Sequence, residues 1–63
     1  MTRSEAQRLI LREWRALPAS ERQTETQAAA FAMKVKGDYP FRYSGDRYQI
    51  IKGWLFAELP KRS

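Results

Sequence analysis

Apolar residues return at helical spacing in three stretches of this chain, and each stretch is closed by a helix-breaking residue. In the first, Ala6, Ile10, Trp14 and Leu17 fall on one face, flanked by Leu9 and Leu11. Ser4 is a candidate cap, and Pro18 forces residue 17 out of helical geometry, which predicts a helix over 4–17. The second stretch has Ala28, Phe31, Ala32 and Val35 on one face and Ala29 and Met33 on the other. Two capping boxes compete for its start, Ser20 with Gln23 and Thr24 with Gln27. A turn at Pro18–Arg22 and a helix over 24–36 follow, with Gly37 placed as a left-handed C-cap. The run Ala28–Ala30 lets another backbone approach, which predicts that this helix lies wedged between its neighbours. In the third, Tyr48, Ile51, Leu55 and Glu58/Leu59 share a face with Trp54 beside it, Ser44 or Asp46 is the cap, and Pro60 is the stop. A helix over 46–59 results, carrying a mid-helix Gly53 that reads as a packing contact.

Between the second and third helices lies Gly37–Gly45, GDYPFRYSG. Tyr39, Phe41 and Tyr43 alternate as in a strand, but Pro40 and the flanking glycines oppose one, and a lone strand has nothing to pair with. A compact turn or a short 3-10 element is expected in 37–45. The fold class is therefore all-α: a small bundle of three main helices in one domain, 1–63, with frayed ends at 1–3 and 60–63. The expected core is Trp14, Leu17, Phe31, Val35, Phe41, Tyr48, Ile51 and Leu55.

Size sharpens this picture. A single core in 63 residues supplies only ~3–5 kcal/mol of net stability. The chain has no Cys and no His, so a disulfide framework or a Cys/His zinc site cannot staple it. Stability has to come from helix packing and aromatic burial, or from a partner. No apolar run reaches the ~18 residues of a membrane span, and MTRSEAQR lacks the features of a signal peptide. These readings predict a cytoplasmic protein without membrane association.

The same composition argues against enzymatic chemistry. Without His, the usual general base near neutral pH is missing, and no serine has an imidazole to activate it. Glu21 and Glu25 are four apart, but carboxylates at a helix N-terminus are ordinary partners of the helix dipole. No phosphate-cradling glycine motif occurs. The expectation is a non-enzyme with no cofactor, no metal and no small-molecule substrate.

Charge supplies the leading functional clue. Twelve Lys and Arg against seven Asp and Glu give a net charge of +5 and a pI of about 10.1. Such a balance favours polyanionic partners, nucleic acid foremost. Lys34, Lys36, Arg42, Arg47 and Lys52 lie at or near the connector, interleaved with aromatics, which makes them the first candidate nucleic-acid contacts. Arg8, Arg12 and Arg15 fall within about 60° of one another on helix 1 at 100° per residue and form an alternative basic face. A protein-interaction module is the second class of function. It rests on Leu11, Met33 and Phe56, apolar residues off the main faces, with Met33 and Phe56 as the candidate contacts of a protein partner or a second copy.

Phe31-Ala32, Asp38, Phe41, Ser44, Asp46, Tyr48, Ile51 and Trp54-Leu55 together resemble the pattern of the YozE-like SAM-like domain family. Trp14 to Pro18 also fits, so the resemblance spans about residues 8–57. Pro40 precedes Phe41 here rather than following it, and Arg47 separates Asp46 from Tyr48. The resemblance implies a SAM-like bundle of three main helices plus a short fourth element. It transfers no catalytic residue, and DNA binding comes with it by fold analogy alone.

Overall fold

The computed structural model describes residues 1–60; the expected fraying at 60–63 therefore falls, beyond Pro60, outside the described residues. The described residues form three α-helices and one 3-10 turn: α1 (Arg3–Ala16), a 3-10 turn (Ala19–Glu21), α2 (Glu25–Val35) and α3 (Arg47–Glu58). No strand occurs among the described residues. The chain is a small all-α bundle.

Local chemistry explains each boundary. Helix α1 starts before Ser4, because Thr2 and Glu5 make the better cap. The Glu5 N–H donates to Thr2 Oγ1 at 3.1 Å and the Glu5 carboxylate accepts from the Thr2 N–H at 3.3 Å. That capping box satisfies two of the helix's orphan donors and draws Thr2 and Arg3, expected to fray, into ordered structure. At the other end Pro18 enforces an extended Leu17, and the Arg22 guanidinium donates to the Leu17 carbonyl at 2.9 Å. The 3-10 geometry sits in the turn after Pro18, and of the two options for 37–45 the structure has a plain turn at its start.

Of the two candidate boxes for α2, Thr24–Gln27 forms. Gln27 decides the contest because its side chain is used at both ends. Its Oε1 accepts from the N–H groups of Gln23 and Thr24, and its Nε2 donates to the Ser20 carbonyl at 2.9 Å. One glutamine thus ties the 3-10 turn to the first turn of α2. Gly37 is not a left-handed cap: no glycine among the described residues has positive φ, and Lys36 ends the helix in ordinary helical geometry. The Asp38 N–H then closes a tight turn onto the Val35 carbonyl at 2.9 Å. The connector onward to Ser44 has no repetitive structure. Asp46, rather than Ser44, caps α3, accepting from the Tyr48 N–H at 2.9 Å.

The wedged helix is α3, not α2. It packs closely on both α1 and α2, whereas α1 and α2 approach each other less and are bridged by the rings of Trp14 and Phe31, whose centroids are 5.3 Å apart. Of the three successive alanines, Ala28 is buried in the core, Ala29 is half-buried and Ala30 faces solvent. The core is Ala6, Ile10, Trp14, Ala28, Phe31, Ala32, Val35, Phe41, Ile51 and Leu55, and among the described residues no polar or charged one is buried. Two expected members, Leu17 and Tyr48, are half-buried and pack against its rim, since each stands at the edge of its helical face near a helix end. Gly53 makes no packing contact: a Cβ placed there would meet nothing within 4 Å.

The chain direction is legible at the ends. A hollow bounded by Gln23, Thr24, Glu25, Thr26 and Leu59 sets the start of α2 beside the end of α3, so these two helices run antiparallel. The end of α1 meets the same end of the bundle, where Arg15 Nε donates to Glu58 Oε1 at 2.7 Å. The last turn of α2, the connector and the first turn of α3 consequently lie together at the opposite end.

Three substitutions test this account by thermal or urea denaturation. Leu55→Ala removes a fully buried side chain and is expected to cost about 2–5 kcal/mol, enough to unfold much of so small a domain. Thr24→Ala removes a working cap and is expected to cost about 1 kcal/mol. Gly53→Ala relieves a mid-helix glycine in open space and is expected to add up to ~1 kcal/mol. A destabilised Gly53→Ala variant would contradict the open surroundings described here.

Candidate nucleic-acid interface

An exposed cation at a helix end has no inward role, so its availability depends on whether another side chain engages it. Among the described residues only Arg15 is ion-paired. Arg3, Arg8, Arg12, Lys34, Lys36, Arg42 and Arg47 are all exposed with no ion-pair partner there. The carboxylates are more committed: Glu5 and Asp46 act as helix caps and Glu58 holds Arg15.

The candidate residues separate on this basis. Lys34 and Lys36 stand on or just after the last turn of α2, Arg42 projects from the connector and Arg47 opens α3, all at one end of the bundle. Lys52 differs. It is half-buried, its ammonium lying 5.1 Å from the Tyr48 ring centroid and 5.8 Å from that of Phe56. Its charge is engaged in cation–π contact one and a half turns into α3. Of the alternative face, Arg8 and Arg12 remain exposed while Arg15 is drawn to Glu58 across a helix–helix boundary. The helix 1 stripe is thereby reduced to two cations, with Glu5 and Glu13 on the same helix.

The connector aromatics are mainly structural. Phe41 is buried, with Trp54 at 5.7 Å and Tyr43 at 6.5 Å between ring centroids. Tyr39 is half-buried against the core. Tyr43 alone is exposed, at 38 %, and its ring also covers Gly45, where a Cβ would come within 2.8 Å of it. Because Phe41 is anchored, its neighbour Arg42 is presented outward beside Tyr43. Two acidic groups, Asp38 and Asp46, share this end, and Asp46 is occupied as a cap.

Of the apolar candidates, Phe56 and Leu11 are half-buried against the core, and Phe56 is further shielded by Lys52. Met33 is the apolar candidate that stays open, 53 % exposed on α2. The sequence reading missed the open groove of about 290 Å³ beside it, lined by Leu17, Glu21, Gln27, Ala30, Phe31 and Lys34. The spacing of Gln27, Ala30, Phe31 and Lys34 carries the signal for one wall, while Leu17 and Glu21 join it only through the turn at Pro18. No helix among the described residues is long and apolar enough to cross a membrane, and no cluster of three or more acidic, His or Cys groups is placed to hold a metal ion. Compared with protein-family models, curated proteins and solved structures, the chain matches none.

Acid titration offers a check on the two committed glutamates. The Arg15 hydrogen bond, and its charge, hold the Glu58 carboxyl below its ordinary range, and the Thr2 cap does the same for Glu5. A carboxyl depressed in the folded state stabilises it fully above the unfolded pKa of about 4.3, and that contribution is lost as pH falls through the lower folded value. Glu58→Gln is expected to narrow the gap in melting temperature between neutral pH and about pH 3 relative to the parent. The effect is small because Glu58 and Arg15 are solvent-screened. An unchanged gap would mean that the ion pair is not formed in solution.

Proposed function

We propose that this domain is a non-catalytic nucleic-acid-binding module that contacts the phosphate backbone through Lys34, Lys36, Arg42 and Arg47. The observation that carries the reading is the gathering of these four exposed, unpaired cations at one end of the bundle, around a connector whose aromatic anchor is already in the core. Lys and Arg at such a rigid end serve phosphate contact, which positions a protein on nucleic acid without reading its sequence. Tyr43 is the one connector aromatic exposed enough to stack on an unpaired base. DNA is the preferred form in this reading. The residue pattern resembling the YozE-like SAM-like family points the same way, and family membership is part of the proposal. The lack of Cys accords with a cytoplasmic setting.

Binding to a short DNA duplex as a function of salt tests the proposal. With four phosphates neutralised, log Kobs against log salt is expected to have a slope of about −3.6. Arg42→Gln with Arg47→Gln should shallow that slope by about 1.8 and weaken binding evenly across sequences. Lys52→Gln should change it little, since that ammonium is engaged over Tyr48 and Phe56. Absence of binding at low salt, or a slope indifferent to Arg42 and Arg47, would sink the reading.

A further inference from the structure

The groove beside Met33 is polarised. Glu21 stands at its Gln27 end, because the Gln27 side chain donates to the carbonyl of Ser20, the residue before Glu21. Lys34 stands at the other end, two helical turns or about 10 Å along α2. Neither has an ion-pair partner among the described residues. The floor between them is apolar, formed by Leu17, Ala30 and the exposed edge of Phe31. Met33 lies one turn beyond Ala30 on the adjoining solvent face, more than half exposed.

We propose that this face of α2 is a self-association surface that takes a second copy of the chain, antiparallel, about a twofold axis near Ala30. A twofold axis there pairs position 33 of one copy with position 27 of the other, which brings each Met33 over the partner groove. The same rotation sets the acidic end of each groove against the basic end of the other, so Glu21 faces the partner's Lys34 twice. Charge complementarity thus selects the antiparallel copy, since a parallel one would oppose like charges. Antiparallel α2 helices also align their macrodipoles favourably. Ala30 is small and exposed, which lets the two helices approach. The interface is isologous and closes at two copies. A single helix face falls short of the ~800 Å² per partner of a standard stable interface, so the dimer is weak and reversible.

Sedimentation of the full chain without nucleic acid, from about 10 µM to about 1 mM, is expected to show a monomer–dimer equilibrium. Glu21→Lys and Lys34→Glu each place like charges opposite one another and should weaken the dimer about tenfold. An equimolar mixture of the two variants re-creates both opposite-charge pairs and should dimerise at about the parent affinity. Met33→Glu should abolish association while leaving the helical melting curve in place, because Met33 is more than half exposed and stands outside the core. A parent that stays monomeric throughout, a variant mixture no tighter than its components, or a dimer that survives Met33→Glu would each overturn the proposal.

Discussion

One face of α3 closes the whole bundle. Ile51 and Leu55, four residues apart, are fully buried, and α3 is the helix that packs closely on both of the others. In a chain with no disulfide and no Cys/His zinc site, that shared wall carries the burial that larger domains spread over several layers. α1 and α2 then need meet only through Trp14 and Phe31, two large rings that span the space their backbones leave. The geometry follows from size: large aromatics between α1 and α2 let a few residues exclude water that would otherwise need another element.

The connector is organised by the same economy. Phe41 inserts into the core and is flanked by the rings of Trp54 and Tyr43, which fixes an irregular segment without repetitive hydrogen bonding. Anchoring one residue of an extended run turns its neighbours outward, which is how Arg42 comes to lie in solvent between a buried and an exposed aromatic. Structure and candidate function are therefore coupled at that point: the aromatic pattern that looked like a binding loop presents a charge by burying a ring.

Charges divide into two populations for a physical reason. Carboxylates are drawn to helix N-termini and to Arg15, where backbone donors or a guanidinium neutralise them. Most cations have no comparable internal partner: Arg15 and Lys34 are the cations in last helical turns, and among the described residues only Arg15 is ion-paired. The surplus positive charge is left to the surface, and four of its cations, Lys34, Lys36, Arg42 and Arg47, stand where α2 ends and α3 begins. No polar or charged side chain is buried among the described residues.

Helix number, extent and the inward faces were legible in the residues themselves, because 3.6-residue periodicity, Pro18, Pro60 and the capping residues are local signals that neighbouring elements do not override. The apolar positions of α2 and the two inward residues of α3 were readable for the same reason. What periodicity could not decide was the choice between nearby caps: Thr2 over Ser4 for α1, and Asp46 over Ser44 for α3. Thr2 wins because Glu5 answers it in a reciprocal capping box, and Asp46 because its carboxylate reaches the Tyr48 N–H. Nor could the sequence order the helices in space, and so α3 rather than α2 became the central one. Tertiary packing alone took Arg15 to Glu58 and joined Leu17 and Glu21 to α2 as one groove. Those contacts join residues far apart in sequence or depend on which face a neighbouring helix covers, and a one-dimensional pattern holds no record of either.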